Sequence, residues 1–174
     1  MSQRTLVLLA HPTTAQSRNN TALADAVREL PNVTVHDLYA EYPDHRIDVA
    51  REQQLAEQHD RIVFQFPFYW YSTPALLKQW QDEVLLWGWA YGTEGNALRG
   101  KTLQVVTTTG GGADSYRPGG YNRFPMEHLL SPLDQMAHLT GMVLADPLIL
   151  HSVRETSDED LALFAKRYRE LLEG

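Results

Sequence analysis

Three short stretches hold the residue types that could do chemistry. The first is His11-Pro12-Thr13-Thr14-Ala15-Gln16-Ser17-Arg18-Asn19-Asn20, a polar run between an apolar segment and a helical one. A helix N-terminus offers unpaired backbone N–H groups and the positive end of the helix dipole, which suit one phosphate monoester. The Ser17 hydroxyl and the Asn20 amide would add donors there, and Arg18 could add charge. The same residues serve equally well as plain helix caps. The second stretch is Pro67-Phe68-Tyr69-Trp70-Tyr71, in which four large aromatic residues follow a proline that cannot donate to a sheet ladder. Aromatic side chains in such a loop can line a slot for a flat ring, cap a sheet or form a subunit contact. The third is Thr108-Thr109-Gly110-Gly111-Gly112. Glycines let a backbone approach a ligand closely and present its N–H groups as donors, though a glycine run also makes an ordinary turn. Tyr116 and Tyr121, in the long loop that follows, could contact a substrate.

Other chemistries find no support. There is no G-x-x-x-x-G-K-[ST] and no G-x-G-x-x-G pattern. The histidines at 11, 36, 45, 59, 128, 138 and 151 are scattered, with no H-E-x-x-H, G-x-S-x-G or nucleophile–base spacing. His11 lacks a partner histidine or acid that would make it a metal ligand or base. The absence of cysteine removes disulfides, thiol nucleophiles and thiolate-held metals. A formal charge of −7 argues against general binding to nucleic acid or anionic membranes. No apolar run nears the ~20 residues that span a bilayer, and Met1 to Arg4 leads only into a short apolar strand without the look of a signal peptide. A soluble, cytoplasmic protein without direct membrane insertion is expected.

The elements that must position the three stretches follow from hydrophobic patterning. Strands are expected at Thr5–Ala10, Val33–Leu38, Arg61–Phe66 and Lys101–Thr108, with a fifth inside Met142–Val153 where Pro147 points to an edge or a bulge. Helices are expected over Thr21–Leu30, from an Asp48 cap to about Gln58, and from Pro74 to about Leu86, the last opened by Ser72-Thr73-Pro74. Two more are expected: Met126–Leu139, interrupted or delayed at Pro132, and Ser157–Leu172, with acid in its first turn. At 174 residues and 43% hydrophobic, the chain fits one domain spanning 1–174. Five alternations of strand and helix give a doubly wound α/β protein. Its five-stranded parallel sheet is expected in the flavodoxin-like order 2-1-3-4-5, with helices on both faces. In that order strands one, three and four are neighbours at the switch point, so the three stretches converge on one crevice.

Certain combinations are specific to a known family. They are Ala10-His11-Pro12 with Ser17 and Asn20, Tyr42-Pro43-Asp44, Gln65-Phe66-Pro67-Phe68-Tyr69-Trp70-Tyr71, Gly88-Trp89-Ala90-Tyr91-Gly92, Gly95-Asn96-Ala97-Leu98 and Thr108-Thr109-Gly110-Gly111. Together they resemble the flavodoxin-like NAD(P)H:quinone oxidoreductases, especially the small bacterial KefF-type and YwrO/general stress protein 14 groups, over nearly the whole chain. The resemblance implies a non-covalent FMN; FAD is possible, but no extra segment for an adenine is evident. It makes His11, Ser17, Arg18, Asn19, Asn20, Pro67, Phe68, Tyr69, Trp70, Tyr71, Thr108, Thr109, Gly110, Gly111 and Gly112 the cofactor-binding set. Ser17 to Asn20 would hold the phosphate, Phe68 to Tyr71 would border the isoalloxazine ring, and Thr108 to Gly111 would face its polar edge. Tyr116 is the implied catalytic residue, and Tyr116, Tyr121 and Asn122 the substrate contacts. Larger relatives carry a histidine a few residues after that tyrosine; here Asn122 stands in its place, so Tyr116 or water would have to protonate the reduced acceptor. The implied reaction is ping-pong, with NAD(P)H and then a quinone using the same slot. A homodimer is also implied, and the aromatics Trp87, Trp89 and Tyr91 fit an interface. The rival readings are a regulatory flavoprotein subunit docked on a glutathione-gated potassium-efflux transporter, and an electron-transfer flavodoxin. The long loop Ala113–Pro125 speaks against the second.

Overall fold

The computed structural model describes residues 3–173. Its centre is β1 (Thr5–Leu9), in which every side chain is buried. β1 pairs in parallel with β2 (Val33–Asp37) on one side and β3 (Arg61–Pro67) on the other. β3 continues to β4 (Thr102–Thr108), giving the order β2-β1-β3-β4-β5. Strands covered on both faces read as continuous apolar runs, which is why the strand segments were visible in the sequence. Side chains alternate between two cores. Leu6, Leu8, Ile62, Phe64, Leu103 and Val105 point to one, and Val7, Val63 and Val106 to the other.

The first core is closed by α2 (Leu38–Glu41), α3 (Val49–Glu57), α4 (Ala75–Val84) and α6 (Ser131–Thr140), through residues such as Ala56, Trp80 and Leu133. The second is closed by α1 (Arg18–Arg28) and α7 (Asp158–Glu173), through Leu23, Val27, Phe164 and Tyr168. Among the described residues, no helix is long and apolar enough to cross a membrane.

Some elements match expectation in detail, including the breaks at Pro132 and Pro147 and the Asp48 and Ser157 caps, and others depart from it. The fifth strand is split: β5 (Val143–Leu144) pairs with the start of β4, and β6 (Leu148–Leu150) with its end. Pro147 has no N–H to give, and Gln104 reaches across the gap to donate to the Asp146 carbonyl at 2.7 Å. The helix expected from Met126 breaks at Leu130 into α5 (Met126–Leu129) and α6, with Pro132 in the first turn of α6. Ser72 and Thr73 do not cap α4; the Tyr39 hydroxyl accepts the Leu76 N–H instead, at 3.2 Å. Ser17 caps α1, which therefore starts earlier than Thr21. Asp48 and Ser157 act as caps, accepting the N–H groups of Arg51 and Asp160 at 3.1 and 3.0 Å.

A buried carboxylate ties the first core together. Glu52, fully buried on α3, accepts hydrogen bonds from Tyr42 Oη at 2.5 Å and Trp80 Nε1 at 2.8 Å, and lies 2.8 Å from His36 Nε2. Burial pushes its pKa up, but these donors outweigh burial and hold it below the usual carboxylate value.

Candidate functional site

The carboxyl ends of β1, β3 and β4 lie side by side, and their loops meet. After β1, the Thr13 N–H donates to His11 Nδ1 at 3.1 Å, so the neutral ring carries its proton on Nε2. That nitrogen faces Tyr69 Oη at 3.5 Å, the outer limit of a hydrogen bond. Burial pushes the His11 pKa down, and the nearby Asp37 partly opposes this. The loop then turns through Thr14–Gln16 into α1, where Ser17 Oγ accepts the Asn20 N–H at 3.3 Å. The first amides of a helix have no intrahelical acceptor, so this end presents donors.

Asn20 is the tie between loops. It is 2% exposed, and its Nδ2 donates to Ser17 Oγ and to Thr108 Oγ1, both at 3.3 Å. Gln65, fully buried on β3, donates to the Asn20 carbonyl at 2.9 Å. The Oδ1 atoms of Asn19 and Asn20 and Oε1 of Gln65 are buried without a partner. Arg18, expected to add charge to this loop, is directed elsewhere: its guanidinium bonds the Thr156 carbonyl at 2.9 Å and pairs with Asp158 at the start of α7. Asn19 is anchored by Nδ2 to the Val153 carbonyl at 3.1 Å.

The aromatic loop begins at Pro67, which pairs opposite Thr108, and Phe68 donates its N–H to the Thr108 carbonyl at 2.8 Å. Tyr69-Trp70-Tyr71-Ser72 then closes a tight turn, with Ser72 N–H bonded to the Tyr69 carbonyl at 3.0 Å. Trp70 and Tyr71 both have positive φ, 49° and 62°. This is the pattern of a type I′ turn, normally built from Asn-Gly. Bulky residues in that backbone region cost of order 1–3 kcal/mol each and persist at functional sites. Trp70 at the tip is 92% exposed.

In the glycine turn, space rather than φ explains Gly111. A Cβ there would stand 3.0 Å from Asn122 Nδ2 and 3.4 Å from the Tyr116 ring and hydroxyl. A Cβ on Gly110 would meet nothing within 4 Å, so that residue faces open space. Gly112 adjoins Ser152 Oγ, 3.2 Å from its would-be Cβ. Tyr71 Oη donates to Asn122 Oδ1 at 3.1 Å, joining the aromatic turn to the long loop. An open cavity of about 450 Å³ results, lined by Phe68, Trp70, Tyr71, Gly110, Gly111, Tyr116, Tyr121, Asn122 and Arg154. A second hollow, of about 430 Å³, lies over Ser17, Arg18 and Thr21 at the start of α1.

A family model described as a flavodoxin-like fold matches residues 3–172. The chain belongs to this flavodoxin-like family. Its relatives include general stress protein 14 of Bacillus subtilis, 49% identical over 97% of this chain and 96% of that one. They also include the glutathione-regulated potassium-efflux system ancillary protein KefG of Yersinia enterocolitica, 47% identical over 100% of this chain and 96% of that one. Three solved structures share the fold closely. A general stress protein 14 from Treponema denticola, in complex with FMN, has a TM-score of 0.93 at 40% identity, covering 97% of each chain. An NADPH-quinone reductase from P. pentosaceus has a TM-score of 0.90 at 33% identity, covering 99% of this chain and 98% of that one. A protein named as a thermophilic tryptophan halogenase, from Streptomycin violaceusniger, has a TM-score of 0.94 at 46% identity, covering 97% and 99%.

Within this family fold, the loops after β1, β3 and β4 meet as the strand order requires. Phe68, Trp70, Tyr71, Gly110, Gly111, Tyr116, Tyr121 and Asn122 line one cavity. Ser17 and Asn20 are tied to Thr108 at the end of β4, and His11 to Tyr69 of the aromatic turn, but none of these lines the cavity itself. Three residues of the region were missed. Gln65 had a signal, a polar residue inside an apolar strand. Arg154 on the cavity wall and His151 behind it had none. Of the aromatics expected at a subunit contact, Trp87 is exposed, whereas Trp89 and Tyr91 pack against the first core.

Proposed function

We propose that this protein is an FMN-dependent NAD(P)H oxidoreductase that passes two electrons to quinones or similar flat acceptors. The observation that carries the reading is the 450 Å³ slot between an aromatic turn and a glycine turn. The FMN complex of the Treponema denticola relative and the NADPH-quinone reductase name of another relative support it.

The residues present fit the cofactor. The first amides of α1, which have no intrahelical acceptor, fit an anionic phosphate. Gly110 leaves open space where its backbone N–H can approach a ring. The N-terminus of α1, with Ser17 and Asn20, takes the phosphate; Arg18 contributes only if it leaves Asp158. Trp70 and Tyr71 form the ring wall, and the Gly110–Gly111 backbone faces the ring's polar edge. Bound FMN supplies the two-electron hydride chemistry. The chain's own share is to orient nicotinamide and then acceptor in one slot, bounded by Tyr116, Tyr121 and Asn122. Tyr116 or water gives the proton that completes the reduced quinone.

The site is open to solvent on its aromatic side, which fits a second copy of the chain as a cover. The KefG relative favours a second reading, in which the flavoprotein docks on a transporter and its flavin serves sensing. The halogenase name finds no support among the sequence relatives named above. Purified protein should show flavin bands, bleach anaerobically with NADH or NADPH, and regain colour with a quinone. Flavin bands that ignore both nucleotides would favour the transporter or electron-transfer reading.

A further inference from the structure

We infer that His151 is a positioning residue of the slot, holding the glycine turn and Tyr116 in fixed relation to each other. The inference rests on the flavin reading above and deepens it. β6 ends opposite β4, with Leu150 paired to Thr108, so His151 emerges beside Thr109. The pairing runs on past both strand ends. Thr109 N–H donates to the Leu150 carbonyl at 2.9 Å, and Val153 N–H to the Thr109 carbonyl at 3.1 Å.

The side chains then fix the glycine turn. The Gly111 carbonyl accepts the Ser152 N–H at 3.2 Å and the Thr109 hydroxyl at 2.8 Å. Thr109 has one hydroxyl proton, and this bond uses it. Its oxygen is 2.8 Å from His151 Nδ1, so the imidazole must donate there. That choice sets the neutral ring as the Nδ1–H tautomer. Burial favours the neutral form by pushing the pKa down, and the Gly111 carbonyl partly opposes this. The same ring packs against Tyr116, with centroids 5.5 Å apart and planes tilted by 37°. Tyr116 in turn lies against Gly111, within 3.4 Å of where a Cβ would stand.

One imidazole therefore supports two parts of the slot from behind. One is the turn whose N–H groups meet the polar edge of the ring. The other is the tyrosine over the substrate side, carried on a loop of mostly irregular backbone. Both depend on position to tenths of an ångström, which supporting residues of this kind provide. Ser152, the next residue, holds a positive φ of 55°, and its Oγ would stand 3.2 Å from a Cβ on Gly112.

The test compares wild type with His151→Ala, His151→Asn, Thr109→Val and the double variant His151→Ala/Thr109→Val. It reads FMN affinity by fluorescence titration, thermal melting of the flavin-free protein, and kcat and KM for a quinone. Loss of one neutral hydrogen bond corresponds to as much as roughly tenfold in affinity. His151→Ala should bind FMN up to that much more weakly and lose kcat more than KM, while melting near wild type. His151→Asn keeps a donor near the Nδ1 position and should recover most of both losses. Thr109→Val removes both the bond to His151 and the bond to the Gly111 carbonyl, so it should weaken FMN binding at least as much as His151→Ala, and the double variant should lose less than the sum of the two. Equal FMN affinity and kcat in wild type and His151→Ala would overturn the inference and leave the flavin reading intact. A folded His151→Asn as impaired as His151→Ala would overturn it too. Should His151→Ala fail to fold, Thr109→Val and His151→Asn decide in the same way. Wild type that binds no FMN would instead sink the flavin reading itself.

Discussion

Two groups of buried polar side chains sit on the two faces of the same sheet, and they are finished differently. Around Glu52, a carboxylate meets donors from Tyr42 and Trp80 and the ring nitrogen of His36, and both its oxygens are engaged. Around Asn20, amide nitrogens are bonded but the oxygens of Asn19, Asn20 and Gln65 are not. Next to this second group, two aromatic residues occupy a turn that suits Asn-Gly. The difference separates two uses of polarity. The closed cluster holds helices to the sheet. The second lies at the carboxyl end of the sheet, beside a strained aromatic turn and a helix N-terminus whose first amides have no intrahelical acceptor.

Breaking the closed cluster should have the largest effect on stability. Glu52→Ala leaves the donors of His36, Tyr42 and Trp80 buried without an acceptor and should cost about 3–5 kcal/mol in denaturant unfolding. FMN affinity of the folded protein should stay close to wild type. Trp70→Ala should do the reverse, weakening FMN binding by ~1–3 kcal/mol while leaving unfolding nearly unchanged. Replacing Trp70-Tyr71 by Asn-Gly sharpens the contrast. The flavin-free protein should gain about 1–2 kcal/mol from a relaxed turn, and the ring wall should be lost. Gly110→Ala should be the quietest for the fold, within about 0.5 kcal/mol, because its Cβ meets nothing within 4 Å. That methyl enters the slot, so flavin affinity should still fall.

Acid should also separate the two clusters. The Glu52 pKa is held below its ordinary value of 4.5, so its contribution is present above that pH and lost as pH falls through the lower folded value. The lowered pKa values of His11 and His151 act in the same direction: stability is full above their ordinary 6.5 and declines as pH falls below it. Stability measured from pH 7 downward should decline in two stages, and Glu52→Gln should flatten the lower one.

Much of this molecule could be read from its sequence because buried parallel strands need unbroken apolar runs. β1, β3 and β4 announce themselves that way, and the switch-point rule then brings their loops together. What stayed hidden depends on partners far along the chain. Tyr39, rather than Ser72 or Thr73, serves the start of α4. Arg18 turns to Asp158, and Glu52 looks like any polar residue on a surface helix. β5 and β6, two and three residues long, are too short for a periodic signal. Gly111 reads as a flexible residue, yet its φ is unexceptional and the constraint is the space claimed by Asn122 and Tyr116.

The most direct test is a fluorescence titration of flavin-free protein with FMN, run in parallel on Glu52→Gln and Trp70→Ala. The expected result is one FMN per chain, quenched by the aromatic turn, with Glu52→Gln near wild type and Trp70→Ala clearly weaker. FMN that remains free and bright with wild-type protein, or a Trp70→Ala variant that binds as tightly as wild type, would contradict the assignment of the open cluster and its aromatic turn as the flavin site.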